Sequence, residues 1–397
     1  MSPPRPHIFH RSRFAHVADR VIEASWDRGW HEKSPLEPEH IWQSATEGFD
    51  PQDELSIRSP ADVSDFRDRL VQLCHALNTD AELTPLGHAM AFGQVQNAVR
   101  WRFELGRLWR DRPELAETPI APPIIVVGQM RSGTTRVQRL LAADPAHSGT
   151  RFCDSVNPVP RTPDTRPLRA RLTLFLARRV NPWLDTMHPF GATRTDEEIG
   201  WLSAALSPTA FEAQWRIPSF VALNVARDNL SVYREFARIL RTDAAHRGNA
   251  DRPRVLKCPQ YTEDLSAMLE VFPDARGVRS RRDTRAVLAS SLSMVASQMA
   301  FQNKHLNTDM VEDYWRRRIA HREERMQGDI AACDRPVAEL SFDALNEDWR
   351  AEMREAYAAL DLPLTKQAIS AMEREAAKAQ RDPHHRHRSQ IEQLASI

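Results

Sequence analysis

The stretch that decides the fold is Pro123–Thr135, "PIIVVGQMRSGTT". Ile124–Val127 is a short β-branched run with proline before it and glycine after it, the pattern of a strand buried in a parallel sheet. The next residues resemble a phosphate-binding loop with its cation displaced. A nucleoside-triphosphate loop reads G-x-x-x-x-G-K-[ST], and its Lys reaches the β/γ-phosphates. Here Gly128 and Gly133 keep that spacing, but Thr134 stands in the Lys position and the cation, Arg131, lies three places upstream. "TTRVQRLLAADP" then carries Val137, Leu140 and Leu141 at helical spacing until Asp144-Pro145 stops it. The order is strand, anion loop, helix.

The alternation recurs downstream. "RVLK" reads as a strand and "TEDLSAMLEVF" as a helix with Leu265, Met268, Leu269 and Phe272 on one face. "ARGVR" and "DTRAVLASSLSMVA" form the next pair, and "PVAEL" with "EDWRAEMREAYAAL" the last. Strands alternating with helices predict an α/β fold, a P-loop-like three-layer α/β/α sandwich with a parallel central sheet. Residues 14–115 show helical punctuation without a strand. "SPADVSDFRDRLVQLCHALN" places Phe66, Leu70, Leu73 and Leu77 on one stripe, and Val99, Phe103 and Trp109 continue the style. The expected organisation is a helical N-terminal region, 1–118, packed on a catalytic domain, 119–397.

Composition narrows the function. The 397 residues carry 54 basic and 54 acidic side chains, and zero net charge argues against a broad nucleic-acid surface while leaving room for a local basic pocket. Cys74, Cys153, Cys258 and Cys333 form no C-x-x-C pair, which points to a reducing compartment with neither a disulfide framework nor a zinc site. The start, "MSPPRPHIFHRSRF", lacks a secretory apolar core, and no run reaches the ~18 apolar residues that span a bilayer. A cytoplasmic protein without a transmembrane segment is expected.

Three basic residues fall at strand ends, where open α/β sheets bind ligands: Arg131, Lys257 and Arg282. Ser290 follows Arg282 by eight residues, so with Asp283 as cap it lies ~10 Å along the next helix at 1.5 Å per residue. Each cation alone has an ordinary structural explanation, a helix-start ion pair or a solvated strand end. Together, beside a glycine loop and a helix N-terminus, they predict a site for an anionic nucleotide with two separated phosphate-like groups.

At these residues the chain resembles the sulfotransferases that use 3′-phosphoadenosine 5′-phosphosulfate (PAPS), in particular their bacterial branch. The family's 5′-phosphosulfate loop resembles P-R-S-G-T-T. Arg131, Ser132, Gly133, Thr134 and Thr135 match it, with Met130 in place of the proline. Its 3′-phosphate motif, an Arg and a Ser eight apart, is matched by Arg282 and Ser290, and its L-K-S-P segment by Leu256–Pro259. A helical lead-in similar to "ELTPLGHAM" (82–90) extends the resemblance from about residue 60 to the C-terminus. It implies sulfuryl transfer from PAPS, leaving adenosine 3′,5′-bisphosphate, without a metal ion. The acceptor would be a hydroxyl, less readily an amine, of a small molecule, lipid or carbohydrate. This accounts for the missing Lys, because the loop needs donors on one phosphosulfate rather than on a β/γ pair with its metal.

The base is less plainly written. The cytosolic branch has a His two places after its strand-end Lys, where this chain has Pro259. Other branches place a Glu after the first helix, and Asp154, twenty-three residues after Arg131, stands at the corresponding place. The second candidate is His188 in "HPFGATRTDEE", matching a bacterial H-P-x-G-A segment followed by paired acids, here Glu197 and Glu198. Trp183, Phe190, Trp201 and Trp215 surround that segment, as an acceptor pocket or as core. The family's closing basic segment is matched in part by Arg386 and Arg388, with His385 and Ser389 replacing its Gly and aromatic residue. The departures leave two other classes open: a nucleotide-binding scaffold without catalysis, and an unusual P-loop kinase. The N-terminal stripe leaves a homo-oligomer open too.

Overall fold

The computed structural model describes residues 5–380; Arg386 and Arg388 lie outside them. Four long helices come first: α1 (Arg13–Asp27), α2 (Pro38–Thr46), α3 (Pro60–Thr79) and α4 (Pro85–Asp111). The last two start by the same chemistry. Ser59 and Thr84 each accept a hydrogen bond from the N–H three residues on, and a proline, which needs no hydrogen-bond acceptor, occupies the first turn.

Among the described residues the sheet has five strands: β1 (Ile124–Val127), β2 (Ser148–Gly149), β3 (Arg254–Lys257), β4 (Arg276–Arg281) and β5 (Val337–Ser341). All pair in parallel, in the order β2-β3-β1-β4-β5. Between them run α5 (Thr134–Ala143), α6 (Arg166–Val180), α7 (Leu230–Arg247), α8 (Leu265–Val271), α9 (Thr284–Met299) and α10 (Thr308–Ala331), and α11 (Trp349–Ala359) and α12 (Lys366–Gln380) come after β5. The strand β2 was not foreseen. Two small residues carry no alternating pattern, and their strand character comes from Ser148 and Gly149 pairing with Arg254 and Val255.

The period-2 alternation of β1 builds the layers. Ile125 and Val127 face one side, packed with Leu256, Trp201, Phe236 and Met268. Ile124 and Val126 face the other, with Val137, Leu141, Met353 and Tyr357. The result is the expected α/β/α sandwich, with helices on both faces of a parallel sheet. All four side chains of β1 are buried, and each contributes about 1.5–3 kcal/mol of transfer free energy.

The helices before β1 join these cores. Leu105, Trp109 and Leu115 belong to the same cluster as Val127 and Phe236, and Trp109 Nε1 donates to Thr242 Oγ1 of α7 at 2.8 Å. Phe66, Leu70, Val99 and Phe103 form a second cluster with Phe211, Trp215 and Phe220. Among the described residues no helix is long and apolar enough to cross a membrane.

Candidate active site

The loop between β1 and α5 is shaped by two glycines. Gly128 has φ +152°, and a Cβ there would meet the Ser280 carbonyl oxygen at 2.7 Å. Gly133 has φ +91° and caps α5 without any side-chain hydrogen bond; a Cβ on it would meet the Phe342 ring at 2.5 Å. The first N–H groups of α5 therefore open onto the loop, where backbone donors and the helix dipole favour an anion. Ser132 serves the loop itself, its hydroxyl donating to the Gln129 carbonyl at 2.6 Å. Ser280 of β4 donates to the Ser132 carbonyl at 2.7 Å, so the neighbouring strand pins the turn. Met130 is buried against Val295, Met299 and Trp315, giving the position where the resembling motif has proline an apolar anchor. Thr134 and Thr135 open the helix, the first buried and the second partly exposed.

Arg131 takes φ +68° and turns its side chain toward α9. Its Nε donates to Ser290 Oγ at 2.9 Å and an Nη to the Met187 carbonyl at 2.6 Å. Arg282 donates to the Arg131 carbonyl at 2.7 Å, with its guanidinium over the Phe342 ring at 4.2 Å. Loop and downstream motif thus touch directly, where sequence spacing alone suggested two anion positions apart. Burial, together with the like charge of Arg282, brings the Arg131 pKa down to about 10 while Glu197 acts against this. Two guanidiniums are thus crowded into this corner, with the Glu197 carboxylate nearby.

Lys257 ends β3 between two acids. Its ammonium pairs with Glu197, and its backbone N–H donates to Glu198 Oε2 at 2.8 Å. Glu198 also accepts from the Tyr261 hydroxyl at 3.0 Å. Burial pushes its carboxyl from 4.5 up to about 7, against the hydrogen bonds that favour the charged form.

The segment before these acids is held by α5 and by the chain after β2. Arg139 donates to the Thr195 and Pro189 carbonyls at 3.0 and 3.1 Å, Gln138 donates to the Asp196 carbonyl at 3.0 Å, and the Asp196 N–H donates to Thr150 O at 2.9 Å. This framing brings His188 Nε2 to 2.9 Å from Asp196 Oδ1. Burial would raise the Asp196 carboxyl, but His188 and Arg139 outweigh it and hold it at about 2. Asp196 was not singled out from the sequence. Its one signal was an acid eight residues past His188, overshadowed by the Glu pair beside it. Donor atoms of His188, Asp196 and Glu197 lie within 4.8 Å of one another, with the Lys257 ammonium on Glu197 and Arg139 3.7 Å from Asp196.

Asp154, the first candidate for the base, goes elsewhere. Its side chain is fully buried and receives two 2.7 Å hydrogen bonds from Arg151, with Arg166 at 3.3 Å and Arg247 at 3.4 Å. Burial alone would raise its pKa, but the three guanidiniums together hold it below the usual aspartate value. Three guanidiniums enclose this carboxylate, and an acceptor's proton would have to compete with them for its lone pairs. Trp201 and Trp215 are core as well, Trp201 donating to the Asp154 carbonyl at 2.8 Å and Trp215 stacking on Phe211 at 5.2 Å. Trp183 is buried with its ring 5.5 Å from that of His10. Phe190 alone of the four stays partly exposed, 4.4 Å from the His188 ring.

Residues 122–366 match the model of the family described as "Sulfotransferase family". Among solved structures, the chain is similar to sulfotransferase STF1 from Mycobacterium tuberculosis H37Rv, with 24% identity and a TM-score of 0.77 over 92% of this chain and all of that one. It is also similar to sulfotransferase STF9 from Mycobacterium avium, with 20% identity and a TM-score of 0.74 over 86% of this chain and 88% of that one. At these identities the two likenesses bear on the fold. No curated protein sequence matches the chain.

Proposed function

The chain belongs to the sulfotransferase family, and from that premise we propose that it moves a sulfuryl group from PAPS to a hydroxyl of a small molecule, lipid or carbohydrate in the cytoplasm. The observation that carries this is the contact between Arg131 of the glycine loop and Ser290 of the downstream motif, with Arg282 close enough to repel Arg131. Such a corner fits a nucleotide bearing negative charge at both its 3′ and 5′ positions. Arg131, Ser132, Gly133, Thr134 and Thr135 would hold the 5′ end, and Arg282 and Ser290 the 3′ phosphate. The bound donor supplies an activated sulfuryl group and a phosphate leaving group.

The protein's own part is positioning, charge stabilisation and one proton. Arg131, Lys257 and the α5 N-terminus present donors where charge grows on the departing phosphate. His188 is the base. Asp196, ionised and buried, accepts the Nε2 proton, which leaves Nδ1 as the basic nitrogen. The His188 side chain keeps 14% exposure where Asp154 has none, so only the histidine is open to an acceptor. Glu197 is committed to Lys257.

The test is to add purified protein and PAPS to extract of the native host and search by mass spectrometry for sulfated species. Products that require both are expected. Nucleotide binding without product across alcohols, phenols, sterols and sugars would instead make the chain a scaffold, and metal-dependent ATP binding would make it a kinase. His188→Ala should lower turnover by about 10²- to 10⁴-fold while adenosine 3′,5′-bisphosphate still binds. Asp154→Asn should weaken folding instead. If Asp154→Asn abolishes turnover in a fully folded protein and His188→Ala does not, the base is Asp154.

A further inference from the structure

The α6 helix, "RPLRARLTLFLARRV", carries apolar side chains on two opposite faces. Its packing face is already spent: Ala170 and Leu174 are buried. The opposite face carries Leu168, Leu172, Phe175 and Leu176, spaced by four, three and one, and each is half or more exposed. At helical spacing these side chains form one outward stripe. Phe14 and Val21 are exposed on α1, which lies against α6 and whose cap, Ser12, donates to the Val180 carbonyl at 2.7 Å. Exposed apolar surface of this kind on a helix face marks a place where something docks.

The charges around the stripe say what docks. The fifteen residues of α6 include five arginines and no acid. Arg166 is buried on Asp164 and Asp243, and Arg178 pairs with Asp185. Arg169, Arg171 and Arg179 are exposed without a carboxylate partner among the described residues, and Arg179 lies over the Phe175 ring at 4.8 Å. A second copy meeting this face by two-fold symmetry would set arginines against arginines. The segment "RDPHHRHRSQIEQLASI", beyond the described residues, is rich in basic side chains in its first half and so shares this face's sign of charge. Leucines and a phenylalanine between snorkelling arginines complement the headgroup region of an anionic bilayer.

We propose that the exposed face of α6, with α1 beside it, is a peripheral docking surface for anionic lipid bilayers. The contact would sit close to the reaction centre, because α6 runs through Asn181–Met187 to the carbonyl that receives Arg131. The docking does not depend on the sulfuryl-transfer reading, and its test uses no nucleotide.

The full chain is floated with phosphatidylcholine vesicles, with or without phosphatidylglycerol. It should rise with the anionic vesicles and release as salt increases. Leu172→Ser, Phe175→Ser and Leu176→Ser together should weaken binding at least about tenfold with an unchanged circular-dichroism melt, since these side chains touch no core. Arg169→Gln with Arg171→Gln and Arg179→Gln should abolish the preference for phosphatidylglycerol. No flotation, equal flotation with phosphatidylcholine alone, or a dimer in sedimentation velocity that the serine variant dissolves would each overturn the proposal.

Discussion

Two clusters of arginine, one partly buried at the α5 N-terminus and one on the buried face of α10, show how similar residues do opposite work. Beneath α10, Arg318 and Arg322 face Glu212 and Glu263. Arg318 Nε and Arg322 Nη2 both stand 2.6 Å from Glu212, and Arg318 Nη2 stands 2.6 Å from Glu263. Two cations meet two anions, and the opposing carboxylates push the Arg318 pKa up even though burial works against it. At the α5 N-terminus, burial and Arg282 push the Arg131 pKa down instead. The first cluster is electrically closed and holds helices together. In the second, the like charge of Arg282 works with burial to lower the Arg131 pKa while Glu197 opposes it, an arrangement that a bound anion would relieve.

The comparison can be broken first at the closed cluster. Glu212→Ala leaves two buried guanidiniums on one carboxylate and removes the acceptor of the Tyr314 hydroxyl at 2.7 Å. It should cost about 3–5 kcal/mol of unfolding free energy in denaturant titration. A loss below about 1 kcal/mol would mean that the cluster is not a structural neutral pair.

Arg131→Ala should show the opposite profile. Turnover should fall by about 10²- to 10³-fold, as for the loss of one oxyanion donor. Stability should change far less than for Glu212→Ala, because relief of the repulsion from Arg282 offsets the lost hydrogen bonds to Ser290 and Met187. Unfolding curves and steady-state kinetics on the same preparation separate the two effects.

A smaller, pH-dependent effect belongs to Glu198. Its folded pKa of about 7 lies above the ordinary 4.5, so between those values the unfolded chain releases a proton that the folded chain keeps. Its contribution is therefore intact below about pH 4.5 and is lost as pH rises toward 7, by about 3 kcal/mol at most. Glu198→Gln keeps an acceptor for Lys257 N–H and removes that loss. The variant should match wild type near about pH 4 and exceed it in thermal stability near about pH 8. A parallel pH dependence in both proteins would show that the Glu198 pKa does not change on folding.

The sequence disclosed some of this and hid the rest for identifiable reasons. The strand, loop and helix from Ile124 to Ala143 were legible because β-branching, two glycines and helical spacing act locally. Arg282 and Ser290 were legible because one helix fixes their separation. Asp154 was not. Its enclosure by guanidiniums depends on Arg166 and Arg247, which come from other helices. The pairing of His188 with Asp196 was hidden as well, since it depends on the turn that Arg139 and Gln138 hold from α5. The buried tryptophans read equally well as pocket or core until helices distant in sequence closed over them.

The central proposal is that Arg131 and Arg282 together hold a nucleotide at two anionic positions. Calorimetric titration with adenosine 3′,5′-bisphosphate and with 5′-AMP, each with and without EDTA, tests it directly. The account predicts that the bisphosphate binds at least about tenfold more tightly and that EDTA changes nothing, because a second charge-assisted contact is gained without a metal. Equal affinity for the two nucleotides would contradict it, since the 3′ position would then have no site.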